Sequence, residues 1–161
     1  MMKMLGVILC GIFLISCEQN FPVTEVDDNR GKPLVDIHNQ PWRFADYKGK
    51  WIVVNYWASW CKPCITEVPE LEAFYQAHKN TDAIVVGVNY DFVSLEETAK
   101  LAEHYSMTYP VLPSEPDPYV QMGTEPIMVL PTTLIINPQG QVVAKLIGEQ
   151  SQQTLEKVIA P

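Results

Sequence analysis

Trp51-Ile-Val-Val-Asn-Tyr-Trp57, followed at once by Ala-Ser-Trp-Cys61-Lys-Pro-Cys64, is the stretch from which the rest of the chain can be read. The first seven residues form a near-continuous apolar run, the pattern of a strand covered on both faces. From Lys62 to about His78, apolar residues at Ile65, Val68, Leu71 and Phe74/Tyr75 recur at helical spacing. An amphipathic helix is therefore expected there, kinked at Pro69. The Cys-x-x-Cys pair falls at the junction of strand and helix. A helix N-terminus presents unpaired N–H groups and the positive end of the macrodipole, and both favour a thiolate. Cys61 is thus the expected nucleophile, and Cys64 the thiol that resolves a mixed disulfide. Pro63 sits where a helix tolerates proline, because first-turn N–H groups lack an intrahelical partner.

Working outward, Ala83-Ile-Val-Val-Gly-Val-Asn89 reads as a second buried strand, and Ser94-Leu-Glu-Glu97 as a capping box opening a helix to about Tyr105. Tyr109 to Leu112 is a short extended piece. Thr132–Ile136, the turn Asn137-Pro-Gln-Gly140 and Gln141–Ile147 form an antiparallel hairpin, and Ser151 caps a last helix to Ile159. Upstream, Pro33–Ile37 and Trp42–Phe44 flank a turn and read as a short β-hairpin. The fold class is α/β: a central mixed β-sheet flanked by helices on both faces, with an N-terminal hairpin extension. With 161 residues, 47% of them hydrophobic and 19% charged, the chain suits a single domain with a real core. Its net charge of −8, with no Lys/Arg cluster, argues against nucleic acid as a partner.

The N-terminus reads as an address. Lys3 precedes an apolar run from Met4 to Ile15 that is too short to span a bilayer comfortably. Leu14-Ile15-Ser16-Cys17 resembles the bacterial lipobox, which implies cleavage before Cys17 and its acylation. Several acyl chains anchor stably where one binds only marginally. The expected organisation is a lipoprotein signal peptide over 1–16, a lipidated tether over 17–32 and the folded domain over 33–161. A plain secretory peptide is the alternative, and Glu18 does not decide between inner and outer membrane. If Cys10 is removed and Cys17 acylated, Cys61 and Cys64 are the only thiols left.

Trp57-Ala-Ser-Trp-Cys-Lys-Pro-Cys64 resembles the active-site segment of the thioredoxin superfamily. Pro69 lies eight residues after Cys61, as in thioredoxins, and Leu130-Pro131-Thr132-Thr133 matches their cis-proline loop. The leading hairpin, Lys48-Gly49-Lys50, Asn55 and the long middle segment are similar to the membrane-anchored TlpA/ResA-like reductases. That resemblance implies a thiol-disulfide oxidoreductase that reduces disulfides of envelope proteins, for example apocytochrome c, and is recharged by a membrane electron-donor reductase. It implies substrate contacts at Trp60, Pro63, Leu130, Pro131 and Thr132, and backbone pairing between the cis-proline loop and an extended peptide. Glu67 falls where this group carries an acid near the dithiol. Asn55 stands where thioredoxin itself has a buried acid; since Asn accepts no proton, that duty passes to Glu67. Pro113–Leu130, with four prolines before Leu130, departs from the family pattern.

Two other readings of the dithiol are a periplasmic oxidant and a copper-binding assembly factor. The relatives with a copper role carry Cys-x-x-x-Cys and a placed His, and neither pattern is clear here. No metal is expected: zinc needs two more ligands, and His38, His78 and His104 are single, scattered and read as helix-face or surface residues. No cofactor is expected either. A peroxiredoxin reading lacks its framed single cysteine. Trp57, Met107, Met122 and Met128 read as core filling.

Overall fold

Seven consecutive residues, Trp51–Trp57, form β4, the strand on which the sheet is assembled. The computed structural model describes residues 21–160. Strand β5 (Ala83–Asn89) runs parallel to β4, in register from Trp51↔Ala83 to Trp57↔Asn89. Strand β7 (Thr132–Ile136) runs antiparallel on the other side, from Ile52↔Ile136 to Tyr56↔Thr132. A parallel neighbour requires a crossover, and α1 (Lys62–His78) supplies it. With β1 (Thr24–Glu25), β6 (Val111–Leu112) and β8 (Gln141–Ile147), the sheet order is β1-β8-β7-β4-β5-β6. Every residue of β5 and β7 is buried, which is what continuous apolar runs demand.

The alternation of side chains divides the core in two. Val53, Trp57, Val85 and Ile135 meet Val68, Leu71 and Phe74 of α1, Ala102 of α2 (Leu95–His104) and Leu155 of α4 (Gln152–Ile159). Ile52, Val54, Tyr56 and Leu134 face the other way, onto Leu34 of β2 (Leu34–Val35), Trp42 of β3 (Pro41–Trp42), Phe44 of a 3-10 turn (Phe44–Tyr47) and Met122 of α3 (Tyr119–Met122). The three long helices therefore share one face. The other is closed by the expected hairpin and short helical turns rather than by a long helix.

The Pro-rich segment is tied down by one carboxylate. Asp117 accepts from the Tyr56 hydroxyl at 3.1 Å, from the Tyr119 N–H at 3.0 Å and from the Tyr90 hydroxyl. Burial raises the Asp117 carboxyl above its usual range, and the desolvated Tyr56 hydroxyl is raised well above its own. Gly123 ends α3 in the left-handed region (φ 66°), a conformation glycine adopts without a Cβ penalty.

The expected tether needs correction over its described part. Thr24 and Glu25 pair with Val142 and Gln141 as an edge strand. The Thr24 hydroxyl donates to the Met122 carbonyl at 2.8 Å, and the Asp27 N–H to the Gln121 carbonyl at 2.8 Å. Asp28 accepts from the N–H groups of Phe44 and Ala45, each at 2.9 Å, and so satisfies the open end of the 3-10 turn. The segment is attached by these hydrogen bonds and by Phe21 and Val26 packed against the core, two apolar residues among polar ones, so its composition resembled a linker. The folded unit thus begins well before residue 33. The signal segment 1–16 and Cys17 lie outside the described residues. Among the described residues, no helix is long and apolar enough to cross a membrane.

If residues 21–32 are part of the domain, Asp28→Ala should cost about 1–2 kcal/mol of unfolding free energy, as for loss of a helix cap. A cost below about 0.3 kcal/mol in denaturant titration would show that the segment hangs free.

Candidate active site

Cys61 is the N-cap of α1, and its sulfur accepts the Cys64 N–H at 3.4 Å. The two cysteines form a disulfide with their Cα atoms 5.3 Å apart. Cys61 keeps 5% of its surface and Cys64 none, so a partner sulfur reaches Cys61 first. The loop that delivers Cys61 from β4 is pinned from β5. Asp91 accepts from the Ser59 N–H at 2.9 Å and the Ser59 hydroxyl at 2.6 Å, and is itself held by the Asn89 amide at 2.6 Å. Trp60 stands outward beside the disulfide, and Pro63 is exposed on the first turn of α1.

Glu67 lies one helical turn beyond Cys64, and only 1% of it is exposed. Its two oxygens are each held. The Asn55 amide of β4 donates to Oε1 at 2.8 Å, and the Gln150 backbone N–H, just ahead of α4, donates to Oε2 at 2.8 Å. Asn55 also donates to the Thr133 hydroxyl of β7 at 3.1 Å. Burial pushes the Glu67 carboxyl up to about 7; the hydrogen bonds from Gln150 and Asn55 pull it down without cancelling that rise, and the Glu149 charge adds to it. A carboxyl with this value changes protonation near neutral pH.

On the far side of the dithiol, the Leu130–Pro131 peptide bond is cis, as the family resemblance implied. Leu130 is half-buried and packs against both cores. Pro131 and Thr132 are buried, and the Thr132 hydroxyl donates to the Val129 carbonyl at 2.7 Å. The Thr132 side chain therefore braces the loop from below and is not on the surface where a partner would meet it.

Trp57 is fully buried, as expected. Met107 and Met122 are core residues, but Met128 is 86% exposed, against its reading as core filler. His78 is not a loose surface residue: its ring nitrogens face Asp82 at 2.8 Å and Glu156 at 3.0 Å, and the ring stacks on Phe74. Those carboxylates raise its pKa against the opposing effect of burial. Among the described residues, no group of three or more His, Cys, Asp or Glu side chains is placed to hold a metal ion. Sequence reasoning missed the Asp91–Ser59 bond, Thr133 and Gln150. The Gln150 contribution is a backbone N–H, which no residue type announces.

The model of the AhpC/TSA family matches residues 19–145, most of the chain. The chain belongs to the AhpC/TSA family. Among curated proteins it is 29% identical over 154 residues to thiol-disulfide oxidoreductase ResA of Bacillus cereus, covering 92% of this chain and 87% of that one. It is 29% identical over 138 residues to ResA of Bacillus subtilis (strain 168), covering 83% and 73%. Among solved structures it resembles a DsbF homologue from Corynebacterium diphtheriae, with a TM-score of 0.69, 26% identity and coverage of 92% and 98%. StoA from Bacillus subtilis, at 22% identity and TM-score 0.64 over 78% and 93%, shares the fold. The dithiol, the thioredoxin-like fold and these relatives make this family member a thiol-disulfide oxidoreductase.

The raised Glu67 carboxyl has a thermodynamic signature. The folded protein keeps this proton up to about pH 7, whereas the unfolded chain gives it up at the ordinary carboxylate value. Folded molecules thus bind more protons across that window, so stability falls as pH rises through it. Between pH 4.5 and 8 the wild type should lose about 3 kcal/mol more than Glu67→Gln, measured on the disulfide form. Parallel stability curves would show that Glu67 titrates normally.

Proposed function

We propose that this oxidoreductase works as an envelope-facing, lipid-anchored reductant of protein disulfides. The observation that carries this reading is the buried Glu67 carboxylate one turn from the buried Cys64. An ionised carboxylate there disfavours a second negative charge nearby, so it does not stabilise a thiolate on Cys64. Strongly oxidising dithiol proteins draw their potential from a stabilised reduced form, and Glu67 adds no such stabilisation at Cys64, which leaves the helix N-terminus at Cys61 as its source here. The lipobox-like Leu14–Cys17 segment supports the anchor and the compartment.

In the reductive half-reaction the Cys61 thiolate attacks one sulfur of the partner disulfide. The partner S–S bond breaks, its second sulfur leaves as a thiolate and takes up a proton, and a mixed disulfide forms. Glu67 then accepts the Cys64 proton, and the Cys64 thiolate attacks the Cys61 sulfur. The partner's first sulfur is released, leaving a reduced partner and the Cys61–Cys64 disulfide. A membrane electron-donor reductase would return two electrons to that disulfide. Trp60, Pro63, Leu130 and the cis-proline loop border the place where the partner lies. Family resemblance makes the heme-site cysteines of apocytochrome c the leading partner.

A redox titration against glutathione or dithiothreitol should place the couple below about −200 mV; a value near −120 mV would make the protein an oxidant. In stopped-flow measurements, resolution of the mixed disulfide should accelerate as pH rises through 7, where Glu67 loses its proton. Glu67→Gln should slow that step about 10²-fold and remove this inflection. An unchanged profile would take Glu67 out of the reaction.

A further inference from the structure

Glu67, Glu70, Phe74 and His78 follow one another along α1 at the three- and four-residue spacing that stacks side chains on one helix face. Glu67 serves the dithiol and Phe74 the core. The other two reach α4. Glu70 Oε2 accepts the backbone N–H of Gln152, the first residue of α4, at 2.9 Å, an N–H that has no partner within its own helix. Further along α1, His78 Nε2 faces Glu156 of α4 at 3.0 Å. Glu156 Oε1 also accepts from the Gln152 side-chain amide at 3.3 Å. Gln152 is therefore held at its backbone by Glu70 and at its side chain by the carboxylate that His78 grips. Gln150, whose N–H donates to Glu67 at 2.8 Å, stands two residues upstream.

We infer that His78 is a positioning residue for the reaction: through Glu156 it holds α4 on α1, and so keeps the Gln150 N–H on the Glu67 carboxylate. The inference rests on the reading of Glu67 as the proton acceptor for Cys64, and adds what sets the pH at which that acceptor works. The His78 ring is built to grip. Nδ1 faces Asp82 at 2.8 Å and Nε2 faces Glu156, and since ionised carboxylates only accept, both nitrogens donate and the ring is an imidazolium. Burial disfavours that charge, and the two carboxylates more than offset it. Lys79, next in the chain, keeps its own ammonium on the Gln76 amide oxygen and over the Tyr75 ring. The His78 side chain is only 16% exposed and stacks on Phe74, so its bond to Glu156 is charge-assisted and held by packing, unlike a free surface pair. Helix α4 needs such a hold. It has eight residues, too few to be stable alone, and its two buried side chains, Leu155 and Ile159, lie one turn apart along a single line. Rotation about that line is left to the polar contacts. The Gln150 N–H favours the ionised form of Glu67, so a looser α4 raises the Glu67 carboxyl further.

The test compares the full chain with His78→Phe, Glu156→Ala and Asp82→Asn, all in the disulfide form. His78→Phe keeps a ring on Phe74 and removes both donors; Glu156 is partly exposed, so its variant carries the test if His78→Phe does not fold. Amide hydrogen exchange of Gln150, divided by that of Val85 in the middle of β5, separates local loosening from global unfolding. That ratio should rise about tenfold in His78→Phe and in Glu156→Ala. In both, the Glu67 midpoint followed by carbon-13 NMR should move up by about one pH unit. The shared direction is decisive, because one variant removes a positive charge and the other a negative one. A plain field effect would move Glu67 up in the first and down in the second. Asp82→Asn touches no contact with α4 and should leave the ratio and the midpoint as they were. Unchanged values in His78→Phe and Glu156→Ala, midpoints moving in opposite directions, or equal effects in Asp82→Asn each overturn the inference. Stopped-flow resolution of the mixed disulfide separates it from the reading beneath it. The pH inflection of that step should follow the Glu67 midpoint in each variant. An inflection that stays put while the midpoint moves would show that Glu67 takes no proton from Cys64, and the inference would fall with that reading.

Discussion

A carboxylate almost without solvent, Glu67, is the constraint around which this site is organised. Desolvating a charge is costly unless hydrogen bonds replace the lost water. Here the replacements are two donors, the Asn55 amide on β4 and the Gln150 N–H ahead of α4, and Asn55 is itself held by donating to the Thr133 hydroxyl on β7. One side chain on α1 therefore ties the helix that carries the dithiol to the middle of the sheet and to the last helix. The same burial that makes those bonds necessary lifts the Glu67 carboxyl to about 7. The hydrogen bonds that hold Glu67 and its raised carboxyl thus share one cause, its burial.

The surrounding fold serves that arrangement. Because side chains alternate along β4, Asn55 points to the same layer as Val53 and Trp57, the layer that α1 and α4 cover. Tyr56, between them, points to the opposite layer and anchors Asp117 of the Pro-rich segment. The strand thus addresses the dithiol layer on one face and the Pro-rich segment on the other. At its end, Asp91 fixes Ser59 and so sets where Cys61 and Trp60 emerge. The buried acid, the Pro-rich segment and the redox pair are thus held from two adjacent positions of one strand, Asn55 and Tyr56, and from the turn beyond it.

The sequence made the strand–Cys-x-x-Cys–helix junction legible because its signals are local: an apolar run, a helical period and a proline tolerated in the first turn. The β2–β3 hairpin, the capping box at Ser94 and the Ser151 cap were readable for the same reason. Strand β1 was not, since a two-residue edge strand among polar residues has no period to detect. The grip on Glu67 was only half legible. Glu67 and Asn55 could be singled out from the family pattern, but Gln150 contributes a main-chain N–H, and its approach depends on how α4 docks. Met128 shows the converse failure, because its residue type indicated a core position and the tertiary structure placed it in solvent.

The chemistry of this site turns on when Glu67 loses its proton. Carbon-13 NMR of the labelled Glu67 side-chain carboxyl, followed through a pH titration of the disulfide form, reads this without reference to any substrate. A midpoint near 7, well separated from those of the exposed glutamates, is what the buried, doubly held carboxylate predicts. A midpoint in the ordinary carboxylate range of about 4 to 4.5 would contradict it and leave Glu67 as a structural acceptor only.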